Sequence, residues 1–285
     1  MNRLKILNTK IVKIQSDIWE AENAMSDLLV IEQPLEIKIV SENSWGIEEK
    51  SIAITMRTPA NDFDLVLGFL FTEDIIQHIS QVKNIHYCTD GGRGEAQENI
   101  VKVELSNDVK VDWQKLQRNF YTTSSCGVCG KTAIEAVAQC SRFTSPVPKA
   151  MWSIAMIHQL SRIVRDFQTT FSYTGGLHAA ALFDIEGRLV LLREDVGRHN
   201  ALDKLIGAML LKKHLPLNEH LLWLSGRVSF ELVQKALMAG ISTMVAVGAP
   251  SSLALELAQS VDMTLIGFAR NQSFNIYHGI ERIIH

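Results

Sequence analysis

The stretch LLWLSGRVSFELVQKALMAGISTMVAVGAPSSLALELAQSVDMTLIGF, Leu221 to Phe268, decides the fold. Three short apolar runs, LLWLS, TMVAV and TLIGF, alternate with two segments of helical spacing, near Phe230 to Ala239 and Ser252 to Ser260. Strand, helix, strand, helix, strand with short connections predicts a mostly parallel sheet covered by helices on both faces. Upstream, HAAALFD and GRLVLLR supply two more strands, and Asp184 to Gly187 between them predicts a hairpin turn, which makes the sheet mixed. Further helices are expected near Lys131 to Cys140, Ser153 to Thr169 and Asn200 to Lys213.

The first third of the chain reads as strands. PLEIKIV (Pro34 to Val40), KSIAITMRT (Lys50 to Thr58) and IVKVEL (Ile100 to Leu105) are β-branched and partly alternating. One helix interrupts them, with Asn61 or Asp62 as its cap and Leu65, Val66, Phe69 and Leu70 at helical spacing. Thr89 to Asn99, rich in glycine and charge, reads as a hairpin loop, and Ser141 to Trp152, with two prolines, as a linker or crossover. The expected class is α/β, or α+β overall: a smaller β-rich domain with one helix over residues 1–120, then an α/β domain over residues 121–285.

Composition narrows the function. Of 285 residues 47% are hydrophobic, enough for a real core, and 28 basic against 31 acidic residues leave a net charge of −3. That balance points neither to duplex nucleic acid nor to an anionic membrane. The N-terminal MNRLKILNTKIVKIQSD alternates charged and apolar residues and lacks the pattern of a secretory signal. No apolar run reaches the roughly 18 residues that a membrane span needs. Four cysteines do not make a disulfide framework, and a CxxC pair among them favours a reducing compartment, so a cytoplasmic location is expected.

Three clusters carry chemistry. The first is TTSSCGVCGK, Thr122 to Lys131, where Cys126 and Cys129 sit between glycines at the mouth of a predicted helix. Unpaired N–H groups and the helix dipole favour the thiolate there. Zinc, a dithiol redox pair and a persulfide carrier all remain open on spacing alone; zinc lacks a second ligand pair, since Cys88 and Cys140 are isolated. The second cluster is TGGLHAAALF followed by REDVGRHNALDK. Arg198 and His199 stand at a strand-to-helix junction, where open α/β sheets bind ligands. Asn200 and Asp203 read either as an N-cap and a first-turn acid facing the dipole or as members of the polar cluster before the helix, and His178 either as a core histidine or as part of the site. The third is SGRVSFE, Ser225 to Glu231, with VGAPSS repeating its placement one unit later. Small residues and hydroxyls at these helix N-termini, with Arg227 beside them, suit an anionic phosphate. Arg270, Asn271 and Gln272 follow the last strand at the same carboxyl edge.

In order, EQPLEIKI, TMRTPAND, GFLFTEDII, TSSCGVCGK, TGGLHAAAL, REDVGRHNALDKLIG, SGRVSFELVQKA, APSSLALELA and LIGFARNQSFNIY resemble the FdhD family, the sulfurtransferases required for formate dehydrogenase activity. The resemblance covers almost the whole chain beyond residue 30. It implies an enzyme that takes sulfur from a cysteine desulfurase as a persulfide on Cys126, with Cys129 assisting. The sulfur then passes to the molybdenum cofactor, bis-molybdopterin guanine dinucleotide, before formate dehydrogenase uses it. The implied cofactor-binding segment is Phe268, Ala269, Arg270, Asn271, Gln272 and Ser273. Together with the residue-level reading, the expected site also holds His178, Arg198, His199, Ser225, Gly226 and Arg227. A cytidine-deaminase-like fold is implied for the second domain, but His178-Ala179-Ala180 lacks the glutamate of the deaminase H-x-E pattern, so deamination is not expected. Expected partners are the desulfurase, formate dehydrogenase and the guanine nucleotide moiety, with no nucleic acid polymer, membrane or permanently bound metal, and the chain is expected to form a homodimer. The competing class is a non-enzymatic molybdenum-cofactor chaperone with CxxC as a redox or zinc switch. Ala60, Asp74 and Asn271 stand where the family pattern has glycine.

Overall fold

The computed structural model of the chain describes residues 6–11, 14–15, 18–19, 25–43, 46–88, 97–109, 111, 113, 150–270 and 272–285. The strands are β1 (Ile6–Ile11), β2 (Ile14–Gln15), β3 (Ile18–Trp19), β4 (Met25–Val30), β5 (Gln33–Asn43), β6 (Gly46–Arg57), β7 (Val82–Cys88), β8 (Gln97–Leu105), β9 (Trp152–Ser153), β10 (His178–Phe183), β11 (Leu189–Asp195), β12 (Leu221–Leu224), β13 (Thr243–Ala246), β14 (Thr264–Arg270), β15 (Ser273–His278) and β16 (Ile283–Ile284). The helices are α1 (Asp62–Thr72), α2 (Ile154–Phe167), α3 (Thr169–Thr174), α4 (Arg198–Leu211), α5 (Phe230–Met238) and α6 (Ser252–Ser260). A six-stranded sheet runs in the order β11-β10-β12-β13-β14-β15 and a four-stranded sheet in the order β6-β5-β8-β7; β1 pairs with β4, β2 with β3 and β9 with β16.

The larger sheet is parallel only at its centre, between β12, β13 and β14. Its flanks are antiparallel, so the sheet is mixed, as the hairpin at Asp184 to Gly187 predicts, with fewer parallel pairs than expected. The reason is local. The turn at Asp184, where the Gly187 amide donates to the Asp184 carbonyl at 3.0 Å, lays β11 back along β10, and the chain doubles back after Arg270 into β15. Successive side chains of a strand face opposite sides, and here both sides are buried. Leu222, Leu224, Met244, Ala246 and Leu265 pack towards α4, α5 and α6, whereas Leu221, Trp223, Val245 and Ile266 pack with Ile157, Leu160 and Val164 of α2.

The smaller sheet buries Leu35, Ile37, Ile39, Val101 and Val103 in the same hydrophobic cluster that holds α1 and α4. α1 contacts β8 and α4, and α4 contacts β10 and β11, so this helix pair joins the two sheets. The pair meets backbone to backbone. A Cβ added to Gly68 would lie 1.9 Å from the Asp203 carbonyl oxygen, and one added to Gly207 would lie 1.8 Å from the Asp64 carbonyl oxygen. Polar bridges flank the contact: Thr72 Oγ1 donates to Asp203 Oδ1 at 2.9 Å, Lys235 Nζ lies 3.0 Å from Asp203 Oδ2, and Arg193 Nη2 lies 2.8 Å from Asp64 Oδ2.

Other boundaries differ from the sequence reading. The single helix expected from Ser153 to Thr169 breaks at Gln168, whose ψ of 67° leaves the helical region, and α3 follows as a separate turn. α4 starts at Arg198 with Gly197 as its cap, so Asn200 is no N-cap, and Asp203 serves Thr72 and Lys235 rather than the helix dipole. Strands β1, β4, β7 and β15 were not expected. Of the expected loop from Thr89 to Asn99, residues 97–99 belong to β8. Residues 89–96, the helix Lys131 to Cys140 and nearly all of Ser141 to Trp152 lie outside the described residues. No helix among the described residues is long and apolar enough to cross a membrane.

Ala60 and Asp74, two of the positions where the family pattern has glycine, adopt positive φ of 92° and 61°. A residue with a Cβ costs about 1 kcal/mol there. Ala60→Gly should therefore raise the urea midpoint by an amount equivalent to about 1 kcal/mol, and an unchanged or lower midpoint refutes that strain. In the opposite direction, Gly207→Ala should cost roughly 1–3 kcal/mol or more, because the methyl group meets backbone that cannot step aside. A chemical denaturation curve superimposable on wild type would show that the helices do not touch there.

Candidate functional site

The parallel strands β12, β13 and β14 end at one edge of the sheet, and antiparallel β10 begins there. Main-chain hydrogen bonds hold that edge: Ser225 N to Ala179 O at 3.0 Å, Val247 N to Leu224 O at 3.0 Å, Gly248 N to Gly226 O at 3.1 Å and Phe268 N to Gly248 O at 3.2 Å. Above it opens a cleft of about 710 Å³ lined by Arg165, Phe171, His178, Trp223, Ser225 and Arg270 among others. That volume lies within the range of small-molecule sites. The walls come from α2 and α3 as well as from the strand ends. Ser161 Oγ on α2 donates to the Ala269 carbonyl at 3.1 Å and accepts from Trp223 Nε1 at 3.2 Å, which ties the helix to β12 and β14.

Charge is arranged unevenly around the cleft. Arg198 is half-buried, and its buried Nε has no hydrogen-bond partner among the described residues. His178 Nδ1 lies 3.3 Å from Ser225 Oγ, and Gly226 backs the same ring, since a Cβ there would sit 3.3 Å from Nδ1 and Cε1. Burial, then the Arg198 charge, lowers the His178 pKa, against a smaller opposing effect of Asp195. His199 Nε2 lies 3.2 Å from Ser229 Oγ and 3.8 Å from Glu231 Oε2. Burial, then Arg198 and Lys235, pushes its pKa down to about 4. Both imidazoles are thus neutral near pH 7, and Arg198 is left as a cation between uncharged rings.

The loop from Asp195 to Gly197 is fixed from below. Buried Asp195 accepts from Thr58 N at 3.1 Å and Gly197 N at 2.8 Å, and its Oδ2 lies 2.6 Å from Lys204 Nζ. Lys204 also donates to the Thr58 carbonyl at 2.8 Å, and Asn200 Nδ2 donates to the Met56 carbonyl at 2.8 Å. Asn200 and Lys204 therefore look into the protein and bind the first segment of the chain to the junction that carries Arg198.

Of the residues expected in the site, His178, Ser225, Ala269 and Arg270 line the cleft. Gly226 and Arg198 stand behind His178, and His199 lies beside Ser229 at the start of α5. Arg227 is exposed, Gln272 is exposed, and Ser273 Oγ donates to the Arg270 carbonyl at 3.4 Å. Phe268 is 42% exposed with a φ of 54°, a strained conformation for a bulky residue. Cys126, Cys129 and Asn271 lie outside the described residues. Arg165, Gln168, Phe171, Val196 and Trp223 line the cleft without having been singled out. The break at Gln168, which turns α3 over the strand ends, has no periodic signal in the sequence. Among the described residues no group of His, Cys, Asp and Glu has the arrangement of a metal site.

Comparison with known proteins gives a consistent answer. A family model described as the FdhD/NarQ family matches residues 30–284. The chain is 46% identical over 261 residues to the sulfur carrier protein FdhD of Mycolicibacterium paratuberculosis, covering 91% of this chain and 93% of the relative. It is 44% identical over 276 residues to the protein of the same name from Streptomyces coelicolor, covering 96% and 94%. The crystal structure of a protein assigned as a formate dehydrogenase accessory protein from Desulfotalea psychrophila has the same fold, with a TM-score of 0.73 at 23% identity over 99% of this chain and 100% of that one.

The low pKa of His199 gives a signed prediction. The unfolded chain takes up a proton on this ring near pH 6.5 and the folded chain only near pH 4, so the stability gained from the neutral ring is complete above 6.5 and is lost as pH falls towards 4. His199→Gln should flatten the fall of the urea midpoint across that window. A variant that loses stability as steeply as wild type would show that His199 titrates normally.

Proposed function

Because the chain belongs to the FdhD/NarQ family, whose model spans nearly all of it, we propose that it is a sulfur carrier serving the maturation of formate dehydrogenase. The Cys126 thiolate attacks the outer sulfur of a cysteine desulfurase persulfide, the desulfurase thiolate leaves, and Cys126 keeps the sulfane sulfur. Attack of Cys129 on the inner sulfur of that persulfide then releases the outer sulfur as hydrosulfide and closes a Cys126–Cys129 disulfide. The acceptor of that sulfur we take to be the molybdenum cofactor as bis-molybdopterin guanine dinucleotide, bound as cargo.

The observation that carries this reading is the cleft at the strand ends with cations in and behind its wall. Arg165 and Arg270 stand in the cleft wall with Phe171 and Trp223, and Arg198, whose buried Nε has no hydrogen-bond partner among the described residues, stands behind His178. Cations beside aromatic surface suit an anionic cargo with flat ring systems. The N-termini of α5 and α6, capped at Ser229 and Ser251, follow the strand ends and suit the nucleotide phosphates. Arg270, whose Nε donates to the Val247 carbonyl at 3.0 Å, completes the rim. The mixed sheet with helices on both faces supports the cytidine-deaminase-like architecture, retained here as a scaffold without the deaminase glutamate.

The test is intact-protein mass spectrometry after incubation with a cysteine desulfurase and cysteine. Cys129→Ala should gain one reducible sulfur atom and Cys126→Ala none, while wild type should carry that sulfur or, once Cys129 has attacked, a Cys126–Cys129 disulfide. Absence of sulfur on Cys129→Ala while the desulfurase turns over would overturn the carrier and favour a chaperone that only holds the cofactor.

A further inference from the structure

Hydrogen bonding around Ser225 is directional. Ser225 Oγ receives the Ala179 amide proton at 2.9 Å, a bond that can run only one way. The hydroxyl proton then has one acceptor among the described residues, His178 Nδ1 at 3.3 Å. If Nδ1 donated instead, the hydroxyl proton would face a half-buried site with no acceptor among those residues, at the cost of an unmade hydrogen bond. The backbone keeps the two side chains together, because Ser225 N donates to the Ala179 carbonyl at 3.0 Å. With Nδ1 unprotonated, the neutral ring carries its proton on Nε2, which has no partner among the described residues and belongs to a side chain lining the cleft.

We propose that Ser225 is a positioning residue that fixes the Nε2–H tautomer of His178, so that the cleft presents an uncharged donor and selects a cargo whose facing atom is a hydrogen-bond acceptor. Oxo, sulfido and phosphate oxygen or sulfur atoms meet that requirement, and an N–H group does not. Burial and the neighbouring Arg198 keep the ring uncharged, so the donor survives without adding a second cation beside the arginine. The proposal rests on the reading of this cleft as the cargo site.

The experiment is long-range proton–nitrogen correlation NMR on the full chain labelled with nitrogen-15 in histidine, with His178 assigned by its loss in His178→Gln. Wild type and Ser225→Thr should show a pyridine-type Nδ1 and a pyrrole-type Nε2 near neutral pH, whereas Ser225→Ala should show the two nitrogens averaged by tautomer exchange. Molybdate, an acceptor-only oxoanion, serves as the probe: it should shift the His178 Nε2 resonance of wild type and bind Ser225→Ala about twofold more weakly, because roughly half of the exchanging rings then carry the proton on Nε2. His178→Gln should keep most of the affinity, since its amide places an N–H near the same point. A pyrrole-type Nδ1 in wild type, or molybdate binding unchanged in Ser225→Ala, overturns the proposal; should Ser225→Ala not fold, the wild-type and Ser225→Thr spectra decide it. The tautomer is read without sulfur transfer, so a failure of persulfide formation on Cys126 and a reversed tautomer on His178 are separate results.

Discussion

Two helices that touch without side chains between them organise this molecule. α1 follows the four-stranded sheet and α4 covers the six-stranded one, and their contact at Gly68 and Gly207 brings backbone oxygens of each into the space where the other would carry a Cβ. Such closeness is tolerated only where both surfaces are locked in rotation and register. Buried and half-buried ions supply the lock: Asp203 with Thr72 and Lys235 and Asp195 with Lys204 and Thr58 are buried, and Asp64 with Arg193 is half-buried. Pairs of this kind add little net stability once desolvation is counted, yet removal of one partner leaves a buried charge unpaired. They fix which arrangement of two apolar surfaces is the folded one.

The same lock reaches the cleft. Asp195 and Asn200 bind Thr58 and Met56 from one side, while the next residues, Val196 and Gly197, lead directly into Arg198. The cation of the proposed cargo site is therefore set by residues from the beginning of the chain, and the strand ends set His178, Ser225 and Arg270. Precision at the cleft comes from rigid elements on both sides rather than from the loops that line it.

What the sequence disclosed follows the reach of its local signals. Continuous apolar runs such as LLWL and TMVA marked the central strands, because a strand buried on both faces needs no polar alternation. Small residues after those strands marked the edge on which the cleft opens. Asn200 misled because local capping preference favours it over Gly197, whereas the folded chain spends its side chain on a distant carbonyl. Gly68 carries no local signal, since its importance exists only when α4 arrives. Arg165 and Phe171 entered the site through a helix break that no periodicity encodes. Ala60 and Asp74 were visible as departures from a glycine pattern, and the positive φ at both gives the physical content of that pattern.

The helix contact also dictates an order of events during synthesis. Thr72 and its partner Asp203 are separated by 131 positions in the chain, and Thr58 and Asp195 by 137. Long loops of this kind must close before their contacts return any free energy, and high contact order slows folding. As the chain leaves the ribosome, α1 emerges with its glycine surface uncovered, and it waits for α4 through roughly half of translation. The nascent N-terminal third is thus an exposed, aggregation-prone species until residues beyond Leu211 are made.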